Sequence, residues 1–154
     1  MRTVLFSLAA AAAVVATPAL ANEARVEARA GVIWGSGDSE AIVGAAVGYD
    51  FDLGSKAFAG VEVSGDKILD SAANRVAFGF TGRLGAKVSP EDKLFLAGGY
   101  TTKPCRFCTD SEHLGAGWEH KFGPIYGKVE YRHYFTNQGL PDTDAVVGGI
   151  GVNF

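Results

Sequence analysis

The chain has 154 residues, with 14 Lys and Arg against 17 Asp and Glu, a net charge of −3 at pH 7. That balance offers no basic face for phosphates and argues against nucleic acid as a partner. The length fits one domain, and the 21 glycines disfavour helices.

Residues 1–21 read as an export address. Met1-Arg2 is a positive start, Val4 to Val15 an apolar, alanine-rich run, Thr17-Pro18 a break, and Ala19-Leu20-Ala21 a small-x-small cleavage pattern. The run is shorter than the roughly 20 apolar residues a spanning helix needs, and no positive stop-transfer flank follows. Cleavage after Ala21 leaves 22–154 as the mature domain. It is slightly more acidic than the precursor, because the leader holds one arginine and no acid.

From residue 24 onward the signal is alternation with period two, the mark of a strand with two unlike faces. In 41–53 one row reads Ala41, Val43, Ala45, Val47, Tyr49, Phe51, Leu53, and the other Ile42, Gly44, Ala46, Gly48, Asp50, Asp52. In 74–88, Val76, Phe78, Phe80, Leu84 and Val88 oppose Arg75, Thr81, Arg83 and Lys87. Eight strands are expected, over about 24–34, 40–53, 56–65, 74–88, 93–102, 111–122, 125–135 and 144–154, most of them long enough for the roughly 9–11 residues of a tilted transmembrane strand. Gly35-Ser36-Gly37-Asp38 is a short turn with no helix after it, so it is not a nucleotide loop. Turns at 52–56, 89–93 and 122–124 are rich in Gly, Pro and Asp, whereas 64–74, 101–110 and 136–143 are longer links. The fold class read from this is all-β: an antiparallel up-and-down barrel. Hydropathy averaged over long windows would miss it, because alternating rows cancel.

A water-soluble barrel turns its apolar row inward, and a membrane barrel turns it outward. The polar rows here carry both charge signs and many glycines, which suit a narrow lumen better than a solvated face. Arg25, Glu27, Arg29, Glu62, Arg75, Arg83, Glu119, Lys128, Glu130 and Arg132 are therefore expected to form an ion-paired lumen network, flanked by Asp50, Asp52, Lys87 and Lys121. The opposite rows lack charge in mid-strand, where Arg or Lys facing lipid costs about 2–4 kcal/mol. Their aromatics fall toward strand ends and form two belts. With a periplasmic N-terminus, Trp34, Phe78, Tyr100, Tyr131 and Phe135 lie in the upper belt, and Tyr49, Phe51, Trp118, Phe122 and Phe154 in the lower. Ile33, Phe58, Phe95, Tyr126 and Tyr134 fall in the polar row and must pack inside.

Cys105-Arg106-Phe107-Cys108 has the spacing of a redox dithiol, half a zinc site or a tight disulfide. An exported chain favours the disulfide, no βαβ pattern supports redox chemistry, and a zinc site lacks further ligands. Ser111-Glu112-His113 puts Ser and His on one strand face, directed to the lumen and without a convincing acid. His120 and His133 fall in the lipid-facing rows beside aromatics, an interfacial position. No cofactor and no metal are expected.

The end of the chain, Val147-Gly148-Gly149-Ile150-Gly151-Val152-Asn153-Phe154, carries Gly149, Val152 and a terminal Phe154 closing an alternating strand. It resembles the C-terminal insertion signal of outer-membrane barrels, with Val147 where that pattern prefers a polar residue. With this, the whole mature chain resembles the small outer-membrane barrel superfamily, the OmpA/OmpX type and the short porin-family proteins of Gram-negative bacteria. The resemblance implies export through the periplasm to the outer membrane. It also implies outer-membrane lipid and the barrel-assembly machinery as partners, a monomer, and no peptidoglycan-binding domain after Phe154. The function it implies is a structural or surface-exposed barrel with a charge-paired lumen and at most a small pore. A passive porin for small polar solutes is the alternative. A lipid-modifying enzyme would require a lipid-facing Ser/His/acid set, and the expectation is that the chain is not an enzyme.

Overall fold

In the computed structural model, which describes residues 22–70, 75–136 and 141–154, every regular element is a strand. They are β1 Glu23–Gly35, β2 Asp38–Asp52, β3 Ala57–Ile68, β4 Ala77–Lys87, β5 Asp92–Thr101, β6 Ser111–Phe122, β7 Ile125–Thr136 and β8 Thr143–Asn153. Each pairs antiparallel with its chain neighbour, and β8 closes on β1. The sheet thus has no edge strand to satisfy. The leader expected at 1–21 lies outside the described residues, as do parts of the 64–74 and 136–143 links.

Local sequence explains the corners. Ser36 and Gly37 both have positive φ, 53° and 95°, the backbone of a two-residue hairpin turn between twisted strands. Gly123, at φ 74°, and Pro124 make the equally short β6–β7 turn. The strand boundaries differ from expectation mainly at the outer end. β3 runs on to Ile68, because its ladder with β2 continues through Val43↔Lys67 and Ile42↔Ile68. β4 begins only at Ala77, where its ladder with β3 starts at Asp66↔Ala77.

Burial alternates along every strand, and the apolar rows are the outer ones. Val47, Val61, Phe80, Leu84, Leu96 and Ile150 are each more than half exposed. Trp34, Phe51, Phe78, Tyr100, Trp118, Phe122, Tyr131 and Phe135 are exposed as well, with Tyr49 half-buried. Inside, two small apolar clusters replace a conventional core. Phe58, Phe95 and Ala97 form one near the N-terminal end of the barrel. Ile42, Tyr134, Ala145 and Val147, with Ile33 and Ile68 against them, form the other toward the long links. The charged residues lie between and around these clusters.

Candidate functional site: the barrel lumen

Arg25, Glu27, Arg29, Glu62, Arg83, Glu119, Lys128, Glu130 and Arg132 are all buried inside the barrel. Their positions follow from strand parity, but their partners follow from closure. Glu62 on β3 is the hub. Its Oε2 accepts from Arg25 Nη1 at 2.7 Å and from Lys128 Nζ at 3.4 Å, and its Oε1 from Arg29 Nη1 at 2.9 Å and Arg132 Nη2 at 3.1 Å. One carboxylate thus gathers cations from β1 and β7, so the hub bridges the lumen. Glu130 accepts from Arg132 Nε at 2.5 Å, and Lys128 also lies 2.9 Å from Glu27 and 3.4 Å from Glu130. Glu27 accepts from the Tyr126 hydroxyl at 2.9 Å.

A second group lies nearer the N-terminal end. Arg83 donates to Glu119 at 3.0 Å, and its guanidinium sits over the Phe95 ring at 4.1 Å, where the ring face attracts a cation. Lys93 reaches Glu23, Asp50 and Glu119 at 2.5, 3.1 and 3.5 Å. Arg25 Nε, 3.6 Å from Asp50, ties this group to the Glu62 hub. Lys121 pairs with Glu23 and Lys87 with Asp52 at the inner mouth. Glu23, Asp50 and Glu119 bring carboxylate oxygens close enough to hold a metal ion, but the Lys93 ammonium already stands among them.

The inward glycines make these bridges possible. Arg25, Gly48 and Glu62 occupy one register row across β1, β2 and β3. A Cβ at Gly48 would stand 2.6 Å from the Arg25 Nη2, so the guanidinium crosses β2 over a bare backbone. Arg29, Gly44 and Asp66 repeat the arrangement two inward-facing rows farther out, with Arg29 Nε donating to Asp66 at 2.7 Å and Nη2 donating to its other oxygen. Tyr126, Gly151 and Glu27 repeat it across β7, β8 and β1. An inward glycine thus stands between two long side chains that must meet over it.

Sequence reasoning put Arg75 in this network, and that is corrected. Arg75 is exposed and stands before β4, its N–H donating to the Pro104 carbonyl. It lies beyond the last paired row, where period-two parity no longer fixes direction. Three members were missed. Lys93 reads as a turn residue after Ser89-Pro90-Glu91-Asp92, Asp66 falls in an expected link, and Glu23 precedes the first expected strand. Extending the first and third expected strands by one residue would have found Glu23 and Asp66, and Lys93 already opens the expected 93–102 strand in the phase of the inward Phe95 and Ala97.

The other sequence features are placed as follows. Cys105 and Cys108 are joined as a disulfide in the β5–β6 link. Asp110, beside it, accepts from the Tyr100 hydroxyl, which holds its carboxyl below the usual range. His113 is buried between the Thr81 and Thr101 hydroxyls, at 3.0 and 3.1 Å, rather than bonded to Ser111. His120 and Trp118 share the Asp92 carboxylate at 2.8 and 2.9 Å, while Ser89 Oγ also donates to Asp92, at 2.7 Å. A nucleophile would bond the far nitrogen of the histidine, not the acid. At the opposite rim His133 has Asp144 on Nδ1 at 2.7 Å and Asp142 near Nε2 at 3.6 Å, so acids occupy both nitrogens. Val152 and Phe154 face outward and Gly149 inward. Phe154 exchanges two backbone hydrogen bonds with Ala24 at the seam.

No protein-family model matches the chain, and no curated protein sequence matches it. Solved structures do. Neisserial surface protein A is 12% identical with a TM-score of 0.59, covering 90% of this chain and 100% of its own. Ail, the attachment invasion locus protein of Yersinia pestis, is 12% identical with a TM-score of 0.58, covering 86% and 98%. The outer membrane enzyme PagL is 14% identical with a TM-score of 0.54, covering 83% and 98%. The chain has the fold of the small eight-stranded outer-membrane barrels.

Proposed function

We propose that this protein is a surface-exposed structural barrel of a Gram-negative outer membrane, with a lumen closed by ion pairs rather than open to solutes. Two features support the membrane setting. The whole outer surface is an apolar band, far beyond what a water-soluble monomer exposes, and aromatic residues edge it at both ends. The N-terminal end with the short turns is then periplasmic, and the C-terminal ends of β1, β3, β5 and β7 face outward. A terminal Phe154 at the seam suits recognition by the assembly machinery.

The observation that carries the closed-lumen reading is the Glu62 hub, one buried carboxylate bridging cations of β1 and β7. Buried charges in a space this narrow are tolerated only when paired, and paired side chains leave little room for a permeating solute. The outward-facing histidine and acid pairs lack a suitably placed hydroxyl among the described residues, which favours a non-enzymatic role. The test is planar-bilayer conductance of refolded residues 22–154. Wild type is expected to conduct poorly, and Glu62→Gln and Glu130→Gln to gain current. Large, steady wild-type currents that both substitutions leave unchanged would establish a passive porin instead.

A further inference from the structure

We infer that the outer mouth of the barrel is a binding site for a small organic cation with an apolar body. Above the ion-paired layer the described residues do not fill the lumen. A cavity of about 520 Å³ remains, within the range of small-molecule sites. Ile33, Ile42, Ala77 and Tyr134 line its wall, with Phe107 and Cys108 of the disulfide-bonded link at its margin. Ile42 and Tyr134 of its wall belong to the apolar cluster with Ala145 and Val147, and Asp66, paired with Arg29, marks its edge toward the charges below.

Among the described residues, the charged ones lining this cavity are all acidic: Asp38, Glu40 and Asp66. Asp66 is neutralised by Arg29. Asp38 and Glu40 have no ion-pair partner among the described residues, and Glu40 lies against Asp70 as well as Asp38, which adds negative charge at the rim. An anion entering here would meet carboxylates, and a neutral polar solute would lose water against isoleucine. An ammonium on an apolar body satisfies both surfaces. Its charge sits near Asp38 and Glu40, and its body rests on the apolar wall. The site lies above the charge plug, so it requires no permeation and stands whether or not the lumen conducts.

The experiment is equilibrium dialysis of the refolded mature chain in zwitterionic lipid nanodiscs, against empty nanodiscs as blank. The probes are benzyltrimethylammonium, benzyl alcohol and benzenesulfonate. The cation is expected to be retained above blank in preference to the other two. An Asp38→Asn, Glu40→Gln double variant should weaken its binding about thirtyfold, two exposed or partly exposed charges each removed at the upper end of their usual worth. Ala77→Trp, which fills the cavity, should abolish binding. Each variant is compared only after its unheated and heated forms migrate differently on a gel, as a folded barrel does. Equal retention of cation and anion, or wild-type affinity in the folded double variant, would overturn the proposal.

Discussion

Replacing Glu62 by Gln changes no volume and removes one charge from the middle of the lumen. Four cations, Arg25, Arg29, Lys128 and Arg132, lie 2.7–3.4 Å from that carboxylate. After the change Glu27, Glu130, Asp66 and Asp50 remain beside them, and Asp50 is already shared with Lys93 and Arg83. One buried cation is left uncompensated, and the amide hydrogens of Gln face donors on at least one side. Breaking a buried pair in this way costs about 3–5 kcal/mol, whereas a hydrated pair costs about 1 kcal/mol or less. With Glu62 only 2% exposed, the larger figure is expected. The measurement is reversible urea unfolding in phosphocholine vesicles, followed by tryptophan fluorescence. Adding Lys128→Met to Glu62→Gln restores the charge balance and should recover about 1–3 kcal/mol, the range for directly coupled sites. A loss below about 1 kcal/mol with no recovery in the double variant would mean that water screens the lumen, and would refute the dry-network reasoning.

Gly48→Val is expected to loosen the same network from a different position, by driving the Arg25 guanidinium off its path to Glu62. Unfolding should show a loss of about 1–3 kcal/mol, and a fully stable variant would remove the reason given for that glycine. Deleting Phe154 should impair assembly in cells more than stability in vitro. The side chain is 67% exposed, and the seam loses two backbone hydrogen bonds worth about 1 kcal/mol each. Normal insertion in cells would count against the signal reading. The Cys105→Ser, Cys108→Ser double variant should keep the wild-type unfolding midpoint, because closing so short a loop restricts the unfolded chain little. Loss of heat-resistant folding would show that this link supports the barrel.

Much of this molecule was written in its alternation. Period two assigns Arg25, Glu27 and Arg29 to one face and Val26, Ala28 and Ala30 to the other without any knowledge of the partners, because a pleated strand has only two sides. Eight such strands, an absence of mid-strand charge on the apolar rows and aromatics at their ends indicate a barrel with its apolar face outward. Sequence stops being informative where the ladder stops. Arg75 follows the parity of β4 but lies past its last paired row, and Asp66 belongs to a strand whose length was set by β2 rather than by its own residues. Pairing is likewise beyond sequence. Glu62 meets Arg132 across 70 positions, and Lys121 meets Glu23 across 98, distances that only closure of β8 on β1 makes short. Register then decides which glycine lies beneath which arginine, and so which charges can touch. The outer-mouth cavity is a result of the same kind. It exists because the described residues of all eight strands and of the two links that follow β5 and β7, each ordinary in sequence, leave a volume unfilled where they converge.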